Sequence, residues 1–560
     1  MRVSEGKKGL RLDWALGGVL FLLLVLRACS FGVEYWYQLD DYIQYHNYAM
    51  EHDFLALVKL VGLLASRPLA GIADYFVWSP LFDYMIVGVA LVSAIYAVTA
   101  VLMKRLIARY FAVSPLFLLV MTLLPLGVEG TYWMSASTRI VVGLFFACLA
   151  GWSFAWWLDK GGWYRALLFL AAMFLPFGFY EQSAVLAMTL VLGMGLLELK
   201  KRRGRALLAL WSLPAAGLYL KLTTLLAVGG LYGSRTELVL PNSDYYWDTF
   251  LPDILGQIQT VFTGGFFYTL VKGFVRGIRL VFSGELLLWC LVTAAVCVLF
   301  GWLSRAERGD GEEAVRNVPL ALLTGVLLAI APLTPFLILA NPWFSFRGAV
   351  TSFLGIALVC DTVFLLLRQR VPRGRTVGAV CVGAAALVLC VAGASEIGDY
   401  RQTCLNDQKA ADAILERLPQ DYPTEASVQG VSVGLLGMEP SRLENVNFKW
   451  HEHVQGCTES NWALAGLLTS REQEIPLPAI TPLPTDPIYK AWNRESNRVD
   501  GFDALYYYDG ESLEPIYLEE TGAMSYEVYT MDGQWMGRIW EEDQVGYFRT
   551  PEQLSAENGG

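Results

Sequence analysis

Charge is what this sequence has least of. Only 17% of its 560 residues are Asp, Glu, Lys or Arg, and 55% are hydrophobic. A soluble chain carries roughly 25% charged and 45–50% apolar residues, so a single water-soluble globule is excluded. A basic surface is also missing. The Lys/Arg clusters are short and lie between apolar runs, where they read as topology signals and not as a nucleic-acid patch. No internal repeat and no Gly-rich nucleotide-binding loop stand out. Cysteine is nearly absent outside apolar sequence. Seven of nine (Cys29, Cys148, Cys290, Cys297, Cys360, Cys381, Cys390) lie in or beside apolar runs, where Cys acts as a small hydrophobe. Cys404 and Cys457 lie in a polar tail and would pair only in an oxidising compartment; their spacing leaves the pairing open.

What is present is a series of apolar runs long enough to cross a bilayer as helices. Eleven spans are expected, near 14–33, 84–103, 112–127, 138–157, 165–180, 183–199, 206–226, 285–303, 317–339, 348–367 and 376–394. The first follows Lys7, Lys8 and Arg11 and lacks a good cleavage pattern, so it reads as an uncleaved span. Basic loops set the orientation. Lys7–Arg11, Lys104–Arg109, Lys200–Arg205 and Arg368–Arg375 fall on one side under this count, and that side is expected to be cytoplasmic. The loop Arg305–Arg316 is charge-balanced. Phe250–Phe282 is largely apolar and is left out of the count. It carries Lys272, Arg276 and Arg279 along one helical face, which suits either a helix at the lipid phosphates or snorkelling ends of a re-entrant segment.

Net charge is about −18 from Ser395 to Gly560 and about +8 before it, marking two regions with different surroundings. The expected organisation is a membrane domain, 1–394, and an acidic extracytoplasmic domain, 395–560. In the tail, Lys409–Leu418 has a helical pattern and Pro476–Pro487 is Pro-rich. Asp509-Gly510 and Asp532-Gly533 punctuate aromatic and β-branched runs as hairpin turns do. The fold class is therefore all-α and polytopic, with a small C-terminal α+β domain.

On this topology polar residues from four segments face one outer compartment. The first loop holds Tyr35, Trp36, Tyr37, Asp40, Asp41, Tyr42, His46, His52, Arg67 and Asp74. The second holds Glu129, Tyr132, Trp133, Ser135 and Arg139. A helical hairpin tip reads Tyr180-Glu181-Gln182, and another loop reads Asn341-Pro342-Trp343-Phe344-Ser345-Phe346-Arg347. Paired carboxylates beside a membrane helix shift each other's pKa and suit acid–base work, but Asp40 or Asp41 would equally cap a helix through Tyr42–Met50. Glu181 and Arg139 read either as site residues or as an ion pair between helices. Arg67 and Arg347 offer planar forks to phosphate oxygens. The aromatics would stack on sugars or anchor the interface. His46 and His52, six apart, do not align on one helical face as i, i+4 metal ligands do. A divalent cation held by carboxylates alone is unmarked and left open.

Gln38-Leu39-Asp40-Asp41-Tyr42 after the first span resembles the acidic first-loop motif of GT-C glycosyltransferases. Arg67-Pro68-Leu69-Ala70 and Tyr180-Glu181-Gln182 are similar to motifs of the bacterial polytopic glucosyltransferases that modify surface polysaccharides. The resemblance covers residues 1–394; the tail matches no known pattern. It implies a multi-pass plasma-membrane enzyme with a polyprenyl-phosphate hexose donor, a surface-glycan or lipid-linked acceptor, membrane lipids as surroundings, no nucleic acid and no cofactor. It further implies an inverting transfer on the extracytoplasmic side. Asp40 would be the general base and Asp41 its partner. Arg347 and Arg67 would meet the leaving phosphate, and Glu181 would position the acceptor or an arginine. Tyr132 and Arg139 would line the substrate site, and Lys272, Arg276 and Arg279 would guide the lipid phosphate. The competing expectation is a transporter or flippase for a lipid-linked saccharide, which calls for charges near the midplane and inverted repeats.

Overall fold

The computed structural model describes residues 2–47, 50, 53–60, 64, 67–226, 238–306, 317–340, 343–438, 456–471, 475–483, 498–542 and 545–558. His52, Asn341, Pro342, residues 307–316 and residues 484–487 of the Pro-rich stretch lie outside them. The chain forms two compact units. The first is Met1–Tyr35 with Glu51–Gly398, and the second is Trp36–Met50 with Asp399–Gly560. The second unit thus starts four residues after Ser395 and takes in the segment that carries Asp40 and Asp41.

The first unit is a multi-pass helical bundle. Among the described residues nine helices are long and apolar enough to cross a membrane: Gly9–Ala28, Pro68–Ile107, Met134–Lys160, Glu181–Glu198, Tyr246–Phe282, Leu287–Arg305, Val318–Leu337, Phe346–Arg370 and Gly374–Asp421. Three apolar runs counted from sequence take another form. Around 112–127 the helix Leu116–Leu123 stops at Leu124, whose ψ of 124° is the extended geometry a following proline imposes. Eight residues rise only about 12 Å, far short of a bilayer core. The run 165–180 gives the helix Trp163–Ala172 and a 3-10 turn at Pro176–Gly178. The run 206–226 is broken into Arg203–Ala206, a 3-10 segment Leu207–Trp211 and Ser212–Leu226. Conversely, the uncounted Phe250–Phe282 belongs to the long apolar helix Tyr246–Phe282.

Close packing depends on small residues where helices cross, since lipid supplies no hydrophobic drive between apolar helices. At Gly355 an added Cβ would come within 2.2 Å of the Ala329 nitrogen and 2.3 Å of the Gly325 carbonyl oxygen, so these two helices meet backbone to backbone. The basic loops gather at one end of the bundle. Asp13 pairs with Lys104 at 2.8 Å, and Asp159 pairs with Arg109 and Arg202 at 2.8 and 2.7 Å. Five residues past Arg109, Ser114 donates to Asp361, and Pro115, Arg305, Arg368 and Arg375 line one cavity.

The second unit is α+β. The last part of Gly374–Asp421 and the helix Asn461–Arg471 accompany a seven-stranded sheet. Its strands are β1 (Ser432–Leu436), β2 (Ala479–Leu483), β3 (Ala504–Tyr508), β4 (Leu513–Gly522), β5 (Ser525–Thr530), β6 (Trp535–Glu542) and β7 (Val545–Arg549), in the order β2-β1-β3-β4-β5-β6-β7. β1 is parallel to β2 and β3, and the rest is an antiparallel meander. Leu505, Ile516, Val528, Ile539 and Phe548, one from each of β3 to β7, belong to its core. Both Asp-Gly pairs turn hairpins as expected, with Gly510 at φ +108° and Gly533 at φ +87°.

Candidate functional site

The polar residues of the first unit are organised on the short helix Val128–Tyr132 and the Trp133 that follows it. Every residue from Val128 to Ile140 except Arg139 is buried, so the hydrogen-bonding groups here must find protein partners. Glu129 accepts from the Ser345 hydroxyl at 2.7 Å and from the Arg347 amide at 3.3 Å. The Arg347 guanidinium lies 5.3 Å from the Trp133 ring centre. Tyr132 packs on Tyr35 at 5.2 Å, and the Tyr35 hydroxyl accepts the Met134 amide at 2.9 Å. The loop closes against the helix at Gly130, where an added Cβ would stand 3.0 Å from the Arg347 carbonyl oxygen.

Two ion pairs flank this platform. Arg67 grips Glu181 through Nε and Nη2 at 2.9–3.3 Å and lies 4.5 Å over the Tyr180 ring. Burial works to lower the Arg67 pKa, but Glu181 and Tyr180 outweigh it and leave it raised, while Arg139 pulls the other way. Arg139 donates to Asp74, which is fully buried, and to the Ser135 carbonyl. The ion-pair alternative therefore holds for Glu181 and Arg139, each with a different partner from the one expected. Gln182 ties the pairs to the platform by donating to the Gly348 carbonyl at 3.0 Å. Tyr132, Arg139, Glu181, Arg67 and Arg347 thus form one connected set. Lys272 and Arg276 stand apart from it. Arg276 pairs with Glu396 at 2.6 Å and lies 4.7 Å from the Tyr268 ring, whereas Lys272 and Arg279 are exposed.

The sequence reading passed over Arg27. It closes the last turn of the first helix and is only 3% exposed. Nη2 donates to Thr131 at 3.2 Å, two residues from Glu129. Among the described residues Nη1 has no hydrogen-bond partner and no carboxylate pairs with this guanidinium. An arginine at the end of an apolar span was the available signal.

In the second unit, Gln38–Asp41 forms a tight entry to the helical segment Tyr42–Asn47. Leu39 takes φ +38°, and the buried Asp41 carboxylate accepts the Gln38 amide at 3.0 Å. Asp41 thus lies just inside the helical run, which begins at Asp40, and closes the turn before it, rather than standing as its N-cap. Asp40 is half-buried. The Gln38 side chain donates to the Tyr400 carbonyl at 3.0 Å, and Gln408 donates to the Tyr42 hydroxyl at 3.2 Å. His46 contacts Asn47. Among the described residues no group of three or more His, Cys, Asp or Glu is placed to hold a metal ion.

No protein-family model matches the chain, and no curated protein matches it.

Proposed function

We propose that the chain is a membrane glycosyltransferase of the GT-C kind, transferring a hexose from a polyprenyl-phosphate donor to a surface-glycan or lipid-linked acceptor on the extracytoplasmic side. The observation that carries this reading is the buried Arg27 beside the Glu129–Trp133 platform. A guanidinium withdrawn from water without an anion is costly by several kcal/mol. A lipid-borne phosphate supplies the missing charge, and Arg347, stacked on Trp133, supplies a second cation.

The chemistry assigned is a single displacement. The acceptor hydroxyl oxygen attacks the anomeric carbon as the carbon–oxygen bond to phosphate breaks. The electron pair leaves on the phosphate oxygen, whose growing charge the guanidinium groups stabilise. The resemblance of Gln38–Tyr42 to the acidic first-loop motif assigns the hydroxyl proton to Asp40. Asp41, engaged with the Gln38 amide, holds the turn on which Asp40 stands.

The test is to incubate the purified protein with a panel of radiolabelled polyprenyl-phosphate hexoses and follow release of polyprenyl phosphate. Consumption of one donor is expected, with a loss of roughly 10²–10⁴-fold in Asp40→Asn and a raised donor KM in Arg347→Ala. An intact panel, or full turnover in Asp40→Asn, would remove the assignment. Movement of an unconsumed donor across a vesicle would instead favour a flippase.

A further inference from the structure

Cys404 and Cys457 are the two cysteines of the second unit. The other seven belong to the first, and these two are far apart in sequence. Both are buried, at 6% and 0% exposure. Cys404 sits one turn before Asp407 on the same face of the helix Gly374–Asp421, a spacing that brings side chains within about 5–6 Å of each other. Asp407 in turn accepts the Cys457 amide at 2.9 Å. The Tyr42 phenol feels both sulfurs and Asp407, and the Cys404 sulfur acts on Cys457. Asp407 is thus a neighbour of both cysteines, and the Tyr42 phenol is a neighbour of both sulfurs. No disulfide joins them in this structure.

We propose that Cys404 and Cys457 join as an intrachain disulfide, tying the long helix to the segment that leads into Asn461–Arg471. The bond forms by exchange with a protein disulfide donor. One thiolate attacks the donor's disulfide, and the second thiolate resolves the mixed disulfide. The new S–S bond belongs to this chain, and the donor leaves as a dithiol holding the two electrons and, once protonated, the two protons. Burial raises the Cys457 thiol well above its ordinary pKa, as does the neighbouring Asp407 carboxylate. Exchange therefore precedes burial, and folding then shields the bond. The helix Asn461–Arg471 packs on the segment Tyr42–Asn47, with Gly466 against Ile43, so the bond secures the support of the Asp40–Asp41 turn. The proposal shares with the functional reading only the placement of this unit in an oxidising compartment.

The experiment uses the full-length protein in its own membranes. Thiols are trapped in acid, the chain is denatured and alkylated with N-ethylmaleimide, and tryptic peptides are weighed. Peptides 402–409 and 450–471 hold one cysteine each. They are expected as one linked species that separates only on reduction, with dithiothreitol opening the bond in denaturant and not in the native membrane. Recovery of both peptides singly alkylated without reduction would overturn the proposal. Linkage is read without any sugar assay, so a linked protein that consumes no donor counts against the enzyme reading alone.

Discussion

At the scale of single residues, the same chemistry that marks a side chain as a ligand also marks it as a partner. Arg67 attracts notice as a phosphate binder, yet its fork is bidentate on Glu181. Arg139 sits on Asp74, whose carboxylate is wholly buried. Removing one member of such a pair costs more than removing both, because it leaves the other charge in a poor solvent. Arg139→Ala is expected to destabilise the protein by about 3–5 kcal/mol, seen as a lower Tm in detergent. The double variant Asp74→Asn/Arg139→Gln should recover most of it. A double variant as unstable as the single one would mean that the pair is not the source. Residue type made Arg67, Glu181 and Arg139 visible in the sequence; which carboxylate meets which arginine was not visible. That depends on helices separated by more than sixty residues.

At the scale of elements, local signals were read best where they act locally. Asp509-Gly510 forecasts its hairpin because the turn is decided by a left-handed glycine and a short acceptor side chain. Partial burial opposes the Asp509 charge, but the Ser512 and Glu511 amides and the Ser512 hydroxyl outweigh it and hold the carboxyl below its usual range. A depressed folded pKa contributes stability that is complete above the ordinary Asp range and is lost as pH falls through the folded value. Unfolding followed from about pH 5 to pH 2 should therefore show a decline that Asp509→Ala reduces; identical profiles would remove the turn from the acid response. Spans were less legible. Hydropathy counts apolar residues, but Pro125 and its extended neighbour Leu124 cut one apolar run into short pieces. Tyr246–Phe282, a 37-residue helix, stayed out of the count because one more crossing would set Arg368–Arg375 on the outer side.

At the scale of the whole molecule, the four basic loops that set the orientation do gather at one end of the bundle. Each was a topology signal by itself, and their meeting is what a common aqueous compartment would produce. Glu511→Cys is expected to react with a membrane-impermeant maleimide in intact cells, and Gln369→Cys only after permeabilisation. The reverse pattern would invert the orientation and remove the extracytoplasmic placement proposed for the acidic unit.

Composition and periodicity alone determined that this is a multi-pass helical protein with an acidic α+β tail, because hydrophobic length and turn chemistry act over a few residues at a time. Tertiary structure decided the rest. It assigned Trp36–Met50 to the unit of the tail, gave Arg67, Arg139 and Arg276 their carboxylates, buried Arg27 beside Thr131 and set Asp407 against the Cys457 amide. These are contacts between segments distant in sequence, and their energies depend on burial and geometry that no local pattern encodes.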